Sequence, residues 1–364
     1  LILVLLTNNA FANQLIELNK PSTLINNNSP IIPTQPNIDA KAFILIDANS
    51  LKVLAQKNAK EAFEPASLTK LMSLYVISHA LQNQQIHLED KVTISSHAWK
   101  QEGSRMFVKV GSQVSVKNLI HGIIVASGND ATMALAEYTA GSENSFVDLM
   151  NSFGKSMNLQ NTHFFNPTGM PHKGHISSAK DLSIIASKLI NEFPAHYQWY
   201  KQKWFTFNHI KQPNRNRLLW REQTVDGMKT GHTQSAGYCL VASANQNNMR
   251  LIAVIMGAKS DKSRTNAASQ LLNYGFRFYE TKQLLKANQT LGEITTWKGQ
   301  FAKTAFGNKQ AVFITLPRGY KNNTTSKIIM QKSIVSPVTK NQLLGEMSIL
   351  VNQKTAKTIP LFAM

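Results

Sequence analysis

Strand-forming runs stand at both ends of a long helix-rich stretch, and that placement limits the folds open to this chain more than any other feature. Ala42-Phe43-Ile44-Leu45-Ile46-Asp47 and Leu51-Lys52-Val53-Leu54-Ala55 are short β-prone runs joined by Ala48-Asn49-Ser50, a hairpin signal. From about residue 67 to residue 190 the apolar residues recur at helical spacing, most clearly over 68–81, 116–125 and 130–138. Strand patterns return at 204–208, 228–229, 237–244 and 251–256, and a last helix is expected over about 266–278. The expectation is an α/β domain whose antiparallel sheet is assembled from both ends of the segment, with the helices supplied between them.

The flanks read differently. Residues 281–364 hold short alternating runs separated by turn residues, and predict a small all-β domain. Residues 13–37, rich in Asn, Pro and Ser, read as a linker to a domain spanning 38–280. Leu1 to Leu6 are all apolar and Ala10-Phe11-Ala12 matches a small-x-small cleavage site, so residues 1–12 read as the remnant of an export signal. The single cysteine, Cys239, excludes an intramolecular disulfide framework and reads as a small buried core residue. The net charge of +19 points toward acidic partners, but without a basic run or interleaved aromatics it does not predict nucleic-acid binding. An anionic envelope is the expected counterpart. The histidines are scattered, His172 and His175 have no neighbouring carboxylate, and neither a metal nor a cofactor is expected.

Three short patterns carry the chemistry: Ser67-Leu68-Thr69-Lys70, Ser127-Gly128-Asn129 and Lys229-Thr230-Gly231. The first two types recur elsewhere, at Ser152, Ser177, Ser142, Ser156 and Ser243, whereas K-T-G occurs once. Order along the chain removes Ser177 and Ser243, and Ser152 and Ser156 are too close in sequence to face each other across a cleft. Ser127 lies between two apolar helical runs on a turn whose glycine permits an unusual backbone angle. Ser67 opens the helix 68–81, and Lys70, three residues on, shares its face. A serine hydroxyl needs a base within hydrogen-bond reach. Lys70 can be that base if burial and the ammonium of Lys229 depress its pKa. Ser127 can pass the proton to a leaving amine. The edge from Lys229 to His232, opened by Gly231, suits an extended peptide added as a further strand. The backbone N–H groups of Ser67 and His232 would face the oxyanion.

In these motifs and their order the chain resembles the penicillin-binding serine acyl-transferases and their β-lactamase relatives. Longer stretches resemble the low-molecular-mass D-alanyl-D-alanine carboxypeptidases: 64–72, 103–107, 127–131, 166–169, 214–216, 226–233 and 236–238. The resemblance implies a β-lactamase/transpeptidase-like domain, an antiparallel sheet with helices on both sides. It also implies that Ser67 forms the acyl-enzyme, Lys70 is its base and Ser127 the proton relay. Asn129 and Lys229 would hold the site together and bind substrate, and Thr230 and Arg215 would meet the substrate's terminal carboxylate. The implied substrate is a peptidoglycan stem peptide ending in D-Ala-D-Ala, with β-lactams as acylating inhibitors and a periplasmic location. Relatives of this subgroup end in an amphipathic helix on the inner membrane. Here 360–364 is where such a helix would begin, so peripheral attachment to the outer face of that membrane is carried as an expectation.

Two rival readings use the same fold. A β-lactamase of class A would need a glutamate between the second and third motifs. Residues 149–191 contain no glutamate, and Asp181 is their only acid. A non-catalytic wall-binding protein would need none of the chemical positions, all of which are present.

Overall fold

Strands buried on both faces read as continuous apolar runs rather than alternating ones, and the computed structural model places such runs at the centre of one sheet. It describes residues 14–17, 32–298, 303–319, 324–331 and 334–364; the expected export segment 1–12 lies outside them. The sheet is built from β1 (Ala42–Asp47), β2 (Val53–Lys57), β3 (Val225–Thr233), β4 (Gly237–Gln246) and β5 (Met249–Ala258). Its spatial order is β3-β4-β5-β1-β2, antiparallel throughout, so β3 is an outer strand. Every residue of β1 is buried.

The helices explain that burial. α1 (Lys70–Gln82), α2 (Asn129–Ala140) and α3 (Ala179–Glu192) contribute to one apolar core with Ala42, Ile44, Ile46, Ile252 and Val254. On the other face lies α4 (Asp261–Phe278), where Gly275 comes so close that a Cβ would stand 2.5 Å from Leu251 Cδ1 and 3.0 Å from Leu45 Cδ2. The sheet expected from both chain ends, with helices on both sides, is therefore present.

Four local expectations change. Ser67 does not open α1: it sits in a 3₁₀ turn, Ala66–Thr69, and the α-helix begins at Lys70. Helix 116–125 divides into an α segment, Val116–His121, and a π turn, Gly122–Ala126, that delivers Ser127. The run at 204 pairs as Trp204–Phe207 with Ile210–Pro213 in a separate hairpin, since its exposed Trp204 and Thr206 would not suit a sheet covered on both faces. Gln14–Glu17, read as linker, pairs antiparallel with Thr325 to Ile328, where its backbone satisfies an otherwise open strand edge.

Thr34–Arg277 forms one unit, and Phe278–Met364 with Gln14–Glu17 forms the other. The latter is all-β, with a core that includes Phe306, Val312, Ile328, Leu344, Met347 and Leu361. Its last strand runs Lys354–Ala363, with Ile359, Leu361 and Ala363 buried in alternation. The stretch 360–363 is thus strand, not the first turn of a helix. Among the described residues no helix is long and apolar enough to cross a membrane.

Candidate active site

The 3₁₀ turn, the π turn and the outer strand meet at one place. Lys70 Nζ lies 3.0 Å from Ser67 Oγ, 2.6 Å from Asn129 Oδ1 and 2.6 Å from the Thr168 carbonyl oxygen. A neutral amine has two N–H donors and one lone pair. Asn129 Oδ1 and the Thr168 carbonyl can only accept, so they take both donors and leave the lone pair for the Ser67 hydroxyl proton. Lys70 is fully buried, and its pKa falls to about 7 because burial disfavours the ammonium and Arg215 repels it, against an opposing pull from Asp130. The sequence expectation named burial and the ammonium of Lys229; burial is the first cause here, and the repelling cation is Arg215 in place of Lys229.

Lys229 is the second buried amine. Its Nζ donates to Ser127 Oγ at 2.8 Å and to the Thr230 carbonyl at 2.9 Å. Burial first, then Lys70, Arg215 and Arg264, hold it well below the ordinary lysine range, so the pair carries fewer than two positive charges at neutral pH. Ser127 presents its hydroxyl from a left-handed backbone, φ 59°, while Gly128 sits at φ −59°. The unusual angle expected at the glycine therefore falls on the serine itself.

Gly231 lets β3 press against the nucleophile's own turn. A Cβ there would stand 3.0 Å from the Pro65 carbonyl oxygen and 3.1 Å from Ser67 N. Thr230 is buried and His232 exposed, its ring 4.0 Å from that of Tyr238. Arg215 is exposed between two buried asparagines. Asn214 donates to the Gln202 carbonyl and Asn216 to the Gly227 carbonyl, so the loop is tied down on both sides of the guanidinium.

Several supporting residues escaped the sequence. The Asn166 side-chain oxygen accepts from Thr168 N, Gly169 N and Met170 N, which shapes the loop that brings the Thr168 carbonyl to Lys70. Asp130, buried, accepts from the backbone N–H groups of Met106, Phe107, Val108 and Ala131, and so pins the loop 104–108 over Asn129. His175 Nδ1 accepts from Phe165 N, and its pKa is pushed down to about 4, chiefly by burial. The ring is therefore neutral with its proton on Nε2, which donates to Thr69 Oγ1 at 2.8 Å. Arg264, also buried, donates to the Gly231 and Cys239 carbonyls. The motif stretch 166–169 was visible in the sequence, but the role of a backbone carbonyl is not encoded by any side chain. Cys239 is buried, and burial lifts its thiol to about 11, which leaves it an inert core residue. Asp181 accepts from Asn161 N and Thr162 Oγ1 inside the core, away from any water-activating role.

Comparison with known proteins follows these lines. The D-alanyl-D-alanine carboxypeptidase family model matches residues 29–260, and the C-terminal domain model of penicillin-binding protein 5 matches 279–364. The chain belongs to the D-alanyl-D-alanine carboxypeptidase family. It is 44% identical to the D-alanyl-D-alanine carboxypeptidase DacC of Escherichia coli strain K12, over 90% of this chain and 84% of that protein. Penicillin-binding protein 5 from Haemophilus influenzae superposes with a TM-score of 0.83 at 40% identity, covering 91% of this chain and 98% of that one. Penicillin-binding protein D2 from Listeria monocytogenes, solved in an ampicillin-bound form, gives a TM-score of 0.61 at 27% identity over 66% of this chain and 100% of that one.

Proposed function

We propose that this family member removes the terminal D-alanine from peptidoglycan stem peptides through an acyl-enzyme on Ser67. The single observation that carries the reading is the buried Lys70 Nζ 3.0 Å from Ser67 Oγ, with the acceptors Asn129 Oδ1 and the Thr168 carbonyl oxygen each at 2.6 Å. The stem peptide would lie along the open edge of β3, its terminal carboxylate toward Thr230 and Arg215. Ser67 Oγ attacks the carbonyl of the penultimate residue while Lys70 takes the hydroxyl proton. The N–H groups of Ser67 and His232 receive the oxyanion. As the C–N bond breaks, Ser127 hands its proton to the departing amine and is refilled with the proton that Lys70 took, so free D-alanine leaves and Lys70 is neutral again. Water then attacks the ester, Lys70 accepting its proton and passing it to Ser67 Oγ as the acyl C–O bond breaks, which restores Ser67 and releases the shortened peptide as its acid.

Penicillins would acylate the same hydroxyl. With no glutamate in 149–191 and Asp181 bound into the core, nothing in that segment supports rapid hydrolysis of the drug ester. A long-lived adduct is expected. The export pattern at 1–12 and the substrate's chemistry support a periplasmic location.

The test is release of free D-alanine from a peptide ending in D-Ala-D-Ala. Release by the native protein and none by a folded Ser67→Ala variant supports the assignment; equal release by both removes Ser67 as nucleophile.

A further inference from the structure

The strand that carries the third motif is held from behind by one buried guanidinium. Arg264, near the start of α4, donates from Nη1 to the Gly231 carbonyl oxygen at 2.9 Å and to that of Cys239 at 3.2 Å. Gly231 and Cys239 are register partners on β3 and β4, so Arg264 meets β3 on its β4 side. Its Nη2 pairs with Asp261 Oδ1. The guanidinium carbon lies 5.4 Å from the centre of the Tyr238 ring, which is in turn 4.0 Å from the ring of His232. Arg264 is 6% exposed, and with both terminal nitrogens engaged its fork is fixed in place.

What that bond does follows from the geometry of one peptide unit. The Gly231–His232 bond is trans. In a trans peptide the C=O and the following N–H lie in one plane and point in opposite directions. With the Gly231 oxygen turned to Arg264 on the β4 side, the His232 N–H points the other way, out of the open edge of this outer strand. That strand passes beside the nucleophile, since a Cβ on Gly231 would stand 3.1 Å from Ser67 N. The N–H groups of Ser67 and His232 are the two that receive the oxyanion in the proposed reaction. Arg264 sets the direction of the second.

A neutral donor would suffice to tie down a carbonyl. A guanidinium here is costly, because it stands close enough to Lys229 and Arg215 to disfavour the charged form of each, and Asp261 is the acid that offsets it. A cation on the carbonyl does more than a neutral donor. It draws electron density along the amide and leaves the N–H at the far end a stronger donor, as in a chain of hydrogen bonds. The gain is largest when negative charge has built up on the oxyanion, and small for the neutral carbonyl of bound substrate. We infer that Arg264 is a positioning residue for acyl transfer: through the Gly231–His232 peptide it aims and strengthens the oxyanion donor at His232. The inference rests on the carboxypeptidase reading and deepens it.

Three forms of the protein decide the matter: native, Arg264→Met, which removes charge and donors, and Arg264→Lys, which keeps the charge. Each is used under conditions where urea denaturation shows it fully folded. Formation and hydrolysis of the acyl-enzyme both pass through an oxyanion. D-alanine release from a peptide ending in D-Ala-D-Ala should therefore lose about tenfold in kcat in Arg264→Met, with KM changed less than about twofold. Arg264→Lys should fall between, and it carries the same readings should Arg264→Met not fold. The second readout is the infrared stretch of the ester carbonyl in the penicillin adduct on Ser67, whose oxygen meets the same donors. It should move to higher frequency in Arg264→Met, and less far in Arg264→Lys, because a weaker donor polarises the ester less. A role confined to stability would leave that frequency alone. An unchanged kcat, or a reduced kcat with an unmoved stretch, overturns the inference. Absence of D-alanine release by the native protein overturns the carboxypeptidase reading instead, and the stretch of the adduct still judges Arg264 by itself.

Discussion

Acylation of Ser67 is expected to titrate with Lys70, and the size of the effect follows from the structure. Burial, aided by Arg215, lowers the amine from 10.5 to about 7. At neutral pH that raises its neutral fraction from a few parts in ten thousand to about one half, roughly a thousandfold, and corresponds to about 5 kcal/mol against the ammonium form. The assay is the second-order rate of adduct formation with a fluorescent penicillin. Below the midpoint the rate should rise about tenfold per pH unit, levelling about one unit above it. Arg215→Gln should move the midpoint upward, because it removes a cation that repels the Lys70 ammonium. The same shift bears on stability. The folded pKa lies below the unfolded one, so between about 7 and 10.5 the unfolded chain holds the extra proton and stability increases with pH. The cost of the buried charge is felt in full below that window. A flat profile, a midpoint near 10, or a downward move in Arg215→Gln would refute Lys70 as the base.

Three further outcomes can be measured directly. His175 stays neutral down to about pH 4, whereas an unfolded histidine protonates near 6.5, so stability should drain away by about 3 kcal/mol as pH falls through that window. Urea denaturation at stepped pH should show the loss in the native protein and a flatter response in His175→Gln. Asp130→Ala strips the acceptor from the N–H groups of Met106, Phe107, Val108 and Ala131, and should lower stability by about 2–4 kcal/mol by the same denaturation assay. Asp130→Asn, which keeps one oxygen, should cost less; equal stability in the native protein and Asp130→Ala would show the loop held by other means. Gly169→Ala forces a Cβ to 1.9 Å from the Ala66 carbonyl oxygen at a backbone φ of 83°. The loop must then retreat from Ser67 and Lys70, and intact-mass measurement should show penicillin adduct forming at least about tenfold more slowly.

The sheet was legible because its strands advertise themselves. Ala42 to Ile46 and Leu251 to Met256 are apolar without interruption, and such runs are buried on both faces. The sequence motifs also pointed to the residues that meet at the site, since S-x-x-K, S-x-N and K-T-G are side-chain patterns. What stayed hidden was carried by backbone. The Thr168 carbonyl on Lys70, the left-handed turn at Ser127 and the 3₁₀ geometry under Ser67 depend on contacts between segments distant in sequence. Arg264 was hidden for a related reason: its partners are the Gly231 and Cys239 carbonyls, and no pattern around residue 264 announces them.

The same backbone features explain why so costly a site holds together. Ala66 at φ 47° and Ser127 at φ 59° occupy a region that side chains disfavour, and two lysines are buried without a carboxylate against either amine. Each strained angle costs about 1–3 kcal/mol, and each buried ammonium disfavours folding until it loses its proton. Such features persist where rigid neighbours leave the chain no alternative. Here Ala66 is fixed between Gly169 and Gly231, and β3 is fixed by its pairing with β4 along eight partnered residues from Val225 to Thr233. Relaxing either contact would let Lys70 reach solvent and recover its ordinary pKa. Strain and basicity are thus one property: the packing that makes the turn costly is what keeps the amine unprotonated beside Ser67.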